Sequence, residues 1–378
     1  MTKAYIAGYS RTPFTPANRG EFIKMRPDDL GAHLAKSLVN KLDIDPKTIE
    51  DLIVGCAFPE GEQGLNLARN IIFLANFPNN IAATTVNRFC GSSMQAIHMA
   101  VGAIHSGSGD AFLCLGVESM TRIPMPGFNP MLNPKLISEE HPAYIGMGET
   151  AENLAKKYNI TFNEQNIFSE NSHKKASKAR EENKLQDEII EVTTHDAKVT
   201  LDSCIRPDTT IDNLSKLKPA FDKTGSVTAG TSSPLTDGAA GVLIVSDNYL
   251  KDTGIKPIAE IKSTAVSGCS PEIMGIGPVE ATKKALKRAK LKLSDIDVIE
   301  LNEAFAAQSI AVLKELDIQE SKVNIDGGAI AIGHPLGATG ARITGKAAQI
   351  AKRENKNLSL ATQCIGGGQG IATIMETI

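Results

Sequence analysis

The sequence predicts an α/β fold made of two similar halves, with a long insert in the first. Strand-like and helix-like runs alternate from end to end. Four segments of the first part recur, in order, in the last part. KAYIAGYSRTP near residue 3 matches KPIAEIKSTAV near 256, and PDDLGAHLAKSLV from Pro27 matches PVEATKKALKRAK from Pro278. EDLIVGC from Glu50 matches IDVIELN from Ile296, and GDAFLCLG from Gly109 matches NLSLATQC from Asn357. The separations, about 253, 251, 246 and 248 residues, stay nearly constant, as a duplicated unit requires. The stretch between about Glu118 and Asp237 has no counterpart and opens on the Pro-, Met- and Asn-rich TRIPMPGFNPMLNPK.

The elements follow in order. KAYIAGYSR reads as the first strand, and Pro27 opens a helix with acids in its first turn, as Pro278 does in the second half. LIVGCA and AFLCLG are apolar strand-like runs in which Cys56 and Cys114 read as packing residues. VNRFCGSSMQAIH places Cys90 between a short strand-like run and a helix over about 92–106. Met94, Ala96, Ile97, Ala100, Val101 and Ile104 make that helix apolar on more than one face, so it is expected inside the protein. In the insert, Thr161 to Glu164 form a capping-box pattern. GAAGVLIVSD then returns to the last strand of the first half. The expected division is 1–117 plus 238–255 for the first half, 118–237 for the insert and 256–378 for the second half.

Composition narrows the function. With 378 residues, 42% of them hydrophobic and 22% charged, the chain reads as soluble and globular. A formal net charge of −3 gives no general attraction to nucleic acid or to acidic membranes, so neither is expected as a partner. No apolar run approaches a membrane span, and MTKAYIAGYSRTPF lacks an apolar signal core; the expected compartment is the cytoplasm. Six scattered cysteines show no C-x-x-C pair and no zinc spacing, so free thiols and no metal are expected. GARITGKA resembles a phosphate loop, but Ala347 replaces the magnesium-binding hydroxyl and the stretch lies inside a helix pattern.

Four positions could carry chemistry. Cys90 stands at a helix mouth, where the dipole and unpaired N–H groups favour thiolate; taken alone, the stretch also fits a buried structural cysteine. His334 is held by Pro335 in a glycine-rich turn, a fixed place for a base. Cys364 ends a strand-like run before three glycines, which let a ligand approach the backbone. Asn302 ends another such run and is placed to hold a water or a carbonyl oxygen.

Together these stretches resemble the thiolase family. VNRFCGSSMQA, NEAFAAQ, GGAIAIGHPLGATGAR and CIGGGQGIA are similar to its active-site motifs; VTAGTSSPLTDGAA and MGETAEN are similar to its coenzyme A contacts. The likeness runs over essentially the whole chain. It implies a five-layered αβαβα fold of two duplicated halves with an inserted loop domain. It also implies roles: Cys90 as the acylated nucleophile, His334 as the group that takes its proton, and Cys364 as the acid–base at the substrate α-carbon. Asn302 would hold a water that stabilises the thioester enolate together with His334. The N–H groups of Cys90 and Gly366 would form a second oxyanion hole, and Ser233 and Met147 would contact CoA. Both catalytic thiols would carry raised thiolate character.

The implied reaction is CoA-dependent cleavage of 3-ketoacyl-CoA in fatty-acid β-oxidation, with CoA as a substrate, no resident cofactor, and a homodimer or homotetramer as the assembly. CGSSMQA and VTAGTSSP are closer to the degradative branch. Gly146 stands where biosynthetic acetoacetyl-CoA thiolases more often have His, which removes a polar contact and leaves room for a longer acyl chain. The alternatives are an acetoacetyl-CoA thiolase, a carrier-protein condensing enzyme, a cysteine hydrolase, or a non-catalytic CoA-binding module. The second cysteine in CIGGGQG argues against a condensing enzyme, and a buried helix mouth argues against a hydrolase.

Overall fold

The structure is a computed structural model that describes residues 2–378. The first half supplies β1 (Ala4–Arg11), α1 (Pro27–Lys41), β2 (Asp51–Gly55), α2 (Leu67–Leu74), β3 (Ala82–Val86), α3 (Ser92–Ser106) and β4 (Ala111–Ser119). Two main helices of the intervening segment, α4 (Met147–Lys157) and α5 (Phe162–Glu181), precede the return strand β5 (Thr236–Ser246). The second half supplies β6 (Ala259–Gly268), α6 (Gly277–Ala289), β7 (Val298–Leu301), α7 (Ala306–Leu316), α8 (Leu336–Arg353), β8 (Leu358–Ile365) and β9 (Gln369–Thr377).

The duplication appears in the sheet order. The first half runs β3-β2-β4-β5-β1 and the second runs β7-β8-β9-β6, with β5 and β9 antiparallel to their neighbours. Beside β7, an isolated parallel bridge from Ile299 to Val323 stands where β3 pairs with β2. The two half-sheets touch through β1 and β6, where Tyr5 pairs with Glu260 and Ile6 with Ala259.

Strand alternation builds the layers. In β4, Leu113 and Leu115 face the cluster of α1 and α2, whereas Phe112 and Cys114 face α3. In the second half, Ile299, Leu360 and Ile374 pack with α6 and α7. Between the sheets, Met94, Ile97 and Ala100 of α3 share one cluster with Ile343, Ala347 and Ala348 of α8 and with strands of both halves. The result is α1/α2, sheet, α3/α8, sheet, α6/α7: five layers, with both faces of each sheet covered. The capping box at Thr161 is present: the Thr161 hydroxyl accepts from the Glu164 N–H, and the Glu164 carboxylate accepts from the Thr161 N–H.

Buried ions tie the intervening segment to both halves. Arg11 of β1 pairs with Glu188 at 2.8 Å and with Asp202 at 2.6 Å. Lys346 of α8 reaches Glu188 at 3.2 Å and Asp326 at 2.8 Å, and all five side chains are buried. Such a cluster is tolerable inside a protein because each charge meets an opposite one.

Candidate active site

Cys90 lies two residues before α3, and His334 lies two residues before α8. They hold matching positions in the two halves, at the mouths of the two central helices. Small residues let those helices meet near their N-termini: Ser93 Oγ accepts from the Ala341 N–H at 2.8 Å, and Leu336 shares an apolar cluster with Cys90.

The turn into α3 is tightly specified. Phe89 sits at φ +42°, a conformation that side chains other than glycine rarely adopt. Its N–H donates to Asn87 Oδ1 at 2.8 Å; Ser92 Oγ accepts from the Arg88 N–H at 2.9 Å and donates to the Phe89 carbonyl at 2.6 Å. Gln363 Nε2 donates to the Cys90 carbonyl and ties this turn to β8. The N–H groups of Gly366 and of Cys90 itself converge on the Cys90 sulfur.

On the second half, Asn302 follows β7 and its Nδ2 lies 3.3 Å from His334 Nε2. His334 Nδ1 lies 2.6 Å from Thr339 Oγ1, and the His334 backbone N–H donates to Thr236 Oγ1 at 3.0 Å. Cys364 is buried in a cluster with Phe305, Val227 and Met147. A Cβ built on Gly366 would stand 3.5 Å from Met147 Sδ, so Met147 overhangs the Gly366 amide. The Ser233 N–H donates to the Ala304 carbonyl at 3.0 Å, which fastens the Ser233 loop two residues from Asn302. All seven residues singled out from the sequence therefore gather at one place.

The electrostatics differ from the sequence expectation. Burial pushes the Cys90 thiol up to about 11, although the Gly366 and Cys90 amides pull it down. Burial likewise drives Cys364 well above the ordinary thiol range, and the neighbouring Cys90 and Cys269 thiols add to the rise. His334 falls to about 3, through burial and the positive charge of Arg342. Desolvation thus works against the thiolate character expected at both cysteines, although Cys90 itself is only half-buried. The resting site pairs neutral thiols with a neutral imidazole.

Sequence reasoning missed three neighbours. Thr339 bonds His334, and nothing in GATG marks it. Cys269, half-buried after β6, adds to the electrostatics of Cys364. Glu118 is buried and accepts from Ala57 N–H and Gly337 N–H at 2.8 Å each and from Gln63 Nε2 at 2.8 Å. It pins the mouth of α8 to the turn after β2. Among the described residues, no group of three or more His, Cys, Asp or Glu side chains is placed to hold a metal ion, and no helix is long and apolar enough to cross a membrane.

Fold and site together define a doubled αβαβα protein with a cysteine-centred candidate site. Residues 4–248 match the thiolase N-terminal domain, and residues 255–377 match the thiolase C-terminal domain. The chain belongs to the thiolase family. It is 48% identical, over the full length of both chains, to a 3-ketoacyl-CoA thiolase of Idiomarina loihiensis. It is 44% identical, again over both full lengths, to a 3-ketoacyl-CoA thiolase of Bacillus subtilis. The crystal structure of the Bacillus anthracis acetyl-CoA acetyltransferase superposes with a TM-score of 0.91 at 35% identity, covering 100% of this chain and 99% of that one.

Proposed function

We propose that this chain is an acyltransferase that cleaves 3-ketoacyl-CoA with coenzyme A, giving acetyl-CoA and a shortened acyl-CoA. The observation that carries this reading is the gathering of two thiols, an imidazole bonded to an amide, and two backbone N–H groups aimed at the Cys90 sulfur. In this scheme His334 takes the Cys90 proton as the sulfur attacks the ketone carbon. The bond between that carbon and the α-carbon breaks, and the leaving acetyl-CoA enolate takes a proton from Cys364. The CoA thiol then passes its proton to Cys364 and attacks the acyl group; His334 returns its proton to Cys90.

Neutral resting groups suit this scheme, since charge appears only as the substrate excludes water. In this scheme the tetrahedral oxygen forms beside the Cys90 sulfur, within reach of the Cys90 and Gly366 amides, and one such donor is worth about 10²–10³ in rate. Asn302 Oδ1 has no hydrogen-bond partner among the described residues, which suits it to accept from a water that donates to the enolate oxygen. Ser233 and Met147 contact CoA beside these groups. Side chains, backbone and CoA as a substrate suffice, so the scheme contains no resident cofactor or metal.

The degradative direction, in fatty-acid β-oxidation, fits the two relatives named 3-ketoacyl-CoA thiolase, and the cytoplasm suits six cysteines that are all free thiols. The nearest atoms to a Cβ on Gly146 would be those of the Glu149 side chain, at 3.6 Å or more, so packing does not demand glycine there and the position suits a longer acyl chain. A homodimer or homotetramer is favoured by the half-exposed strand β3, which ends the sheet, and by exposed Leu65, Phe73 and Leu74 near it.

Incubation with acetoacetyl-CoA and longer 3-ketoacyl-CoAs, with and without free CoA, tests the reading. CoA-dependent cleavage across chain lengths is expected. Cleavage without CoA would point to a hydrolase, and activity confined to acetoacetyl-CoA would point to acetyl-CoA acetyltransferase chemistry.

A further inference from the structure

We infer that Thr339 is a positioning residue that sets the tautomer of His334 and leaves Nε2 as the basic nitrogen. The role of His334 as base rests on the function proposed above; the tautomer does not. Thr339 lies in the first turn of α8, fully buried, and its Oγ1 stands 2.6 Å from His334 Nδ1. The same hydroxyl donates to the Pro335 carbonyl at 2.9 Å, four residues back along the chain. A hydroxyl has one proton. With that proton committed to Pro335, Oγ1 meets Nδ1 as an acceptor, so Nδ1 carries the hydrogen.

The other face of the ring agrees. Asn302 Nδ2, a donor, faces Nε2 at 3.3 Å. The run of bonds is then Asn302 Nδ2–H to Nε2, Nδ1–H to Thr339 Oγ1, and Oγ1–H to the Pro335 carbonyl. A hydroxyl also differs from the carboxylate that orients histidine in other nucleophilic sites. It fixes the ring without offering a negative charge to an imidazolium. With Arg342 adding positive charge nearby, the protonated ring is a strong acid, ready to give its proton back.

The test has an arm independent of turnover. Nitrogen-15 NMR of histidine-labelled protein, with His334→Asn to assign the signal among the seven histidines, reads which ring nitrogen bears hydrogen. Hydrogen on Nδ1 in the wild type and in Thr339→Ser, but not uniformly in Thr339→Val, is the expected result. Hydrogen on Nε2 in the wild type, or an unchanged tautomer in Thr339→Val, would overturn the inference. The second arm is kinetic. Thr339→Val should slow Cys90 acylation about 10²- to 10⁴-fold, the span that a misplaced general base loses, while Thr339→Ser restores most of it. In a His334→Ala background Thr339→Val should cost nothing further; a full additional loss there would show a merely structural role. A wild type with the expected tautomer but no activity on 3-ketoacyl-CoA would reject the proposed function and leave Thr339 in place.

Discussion

Gly340 of α8 lies against Met94 of α3, so close that a Cβ on Gly340 would stand 2.3 Å from the Met94 amide nitrogen. The two central helices cross there, and the crossing sets the spacing between the mouths that carry Cys90 and His334. Gly340→Ala forces one helix to move, because backbone rather than a flexible side chain receives the methyl. A stability loss of about 1–3 kcal/mol is expected from such overpacking. Turnover should fall at least about tenfold, since small displacements of catalytic groups are costly. Thermal melting together with kcat checks both; wild-type kcat in a folded variant would show that the crossing does not set the catalytic spacing.

Cys90→Ser should abolish thiolysis and leave the fold intact. Cys364→Ala should still accept an acyl group on Cys90, because in the proposed scheme the second thiol works at the α-carbon. Mass spectrometry after mixing each variant with acyl-CoA decides this. An acyl adduct on any residue but Cys90 would sink the assignment.

The raised thiol predicts slow alkylation. With Cys90 at about 11, its thiolate fraction at pH 8 is small, and iodoacetamide should react about 10²-fold more slowly than with an unperturbed cysteine. The rate should climb with pH until about 11. Peptide mapping of the alkylated enzyme across pH gives the profile. A plateau below pH 8 would mean that the helix mouth prevails over burial.

Glu300, buried beside Arg342 at 3.1 Å, is raised to about 7 by desolvation, from an ordinary value of 4.5. A carboxyl whose folded pKa lies above its unfolded one contributes stability below the unfolded value and loses it as pH rises through the folded one. Between pH 5 and pH 8 this group should cost about 3 kcal/mol. The stability difference between Glu300→Gln and wild type should therefore move toward the variant by about that amount over this range. Urea unfolding of both proteins at several pH values measures it; parallel curves would contradict the shift.

Much of the fold was legible because duplication leaves a trace at constant separation, and because strand and helix periods differ. The four repeated segments correspond to β1 and β6, α1 and α6, β2 and β7, and β4 and β8. The expected helix over 92–106 is α3 itself. The chemical residues stood out where glycine-rich turns follow strands. What stayed hidden depends on the third dimension. Desolvation of Cys90 comes from layers that no local stretch encodes, and Thr339 and Glu118 act only through bonds made after folding. The pairing of Arg11 with Glu188 and Asp202 spans more than 170 residues and has no sequence pattern.

The ion cluster around Glu188 also bears on how the chain is made. Arg11 precedes Glu188 and Asp202 along the chain, and Lys346 follows both by more than 140 residues. A nascent chain that has already folded its first half holds Glu188 against Arg11 but still lacks the second cation, and α8, the helix that carries it, is also missing from the middle layer. Closing the interior too early would strand a charge away from water, which is unfavourable by several kcal/mol. Closure of the central layer and docking of α8 are therefore coupled through the cluster, because Arg11 alone cannot balance both Glu188 and Asp202.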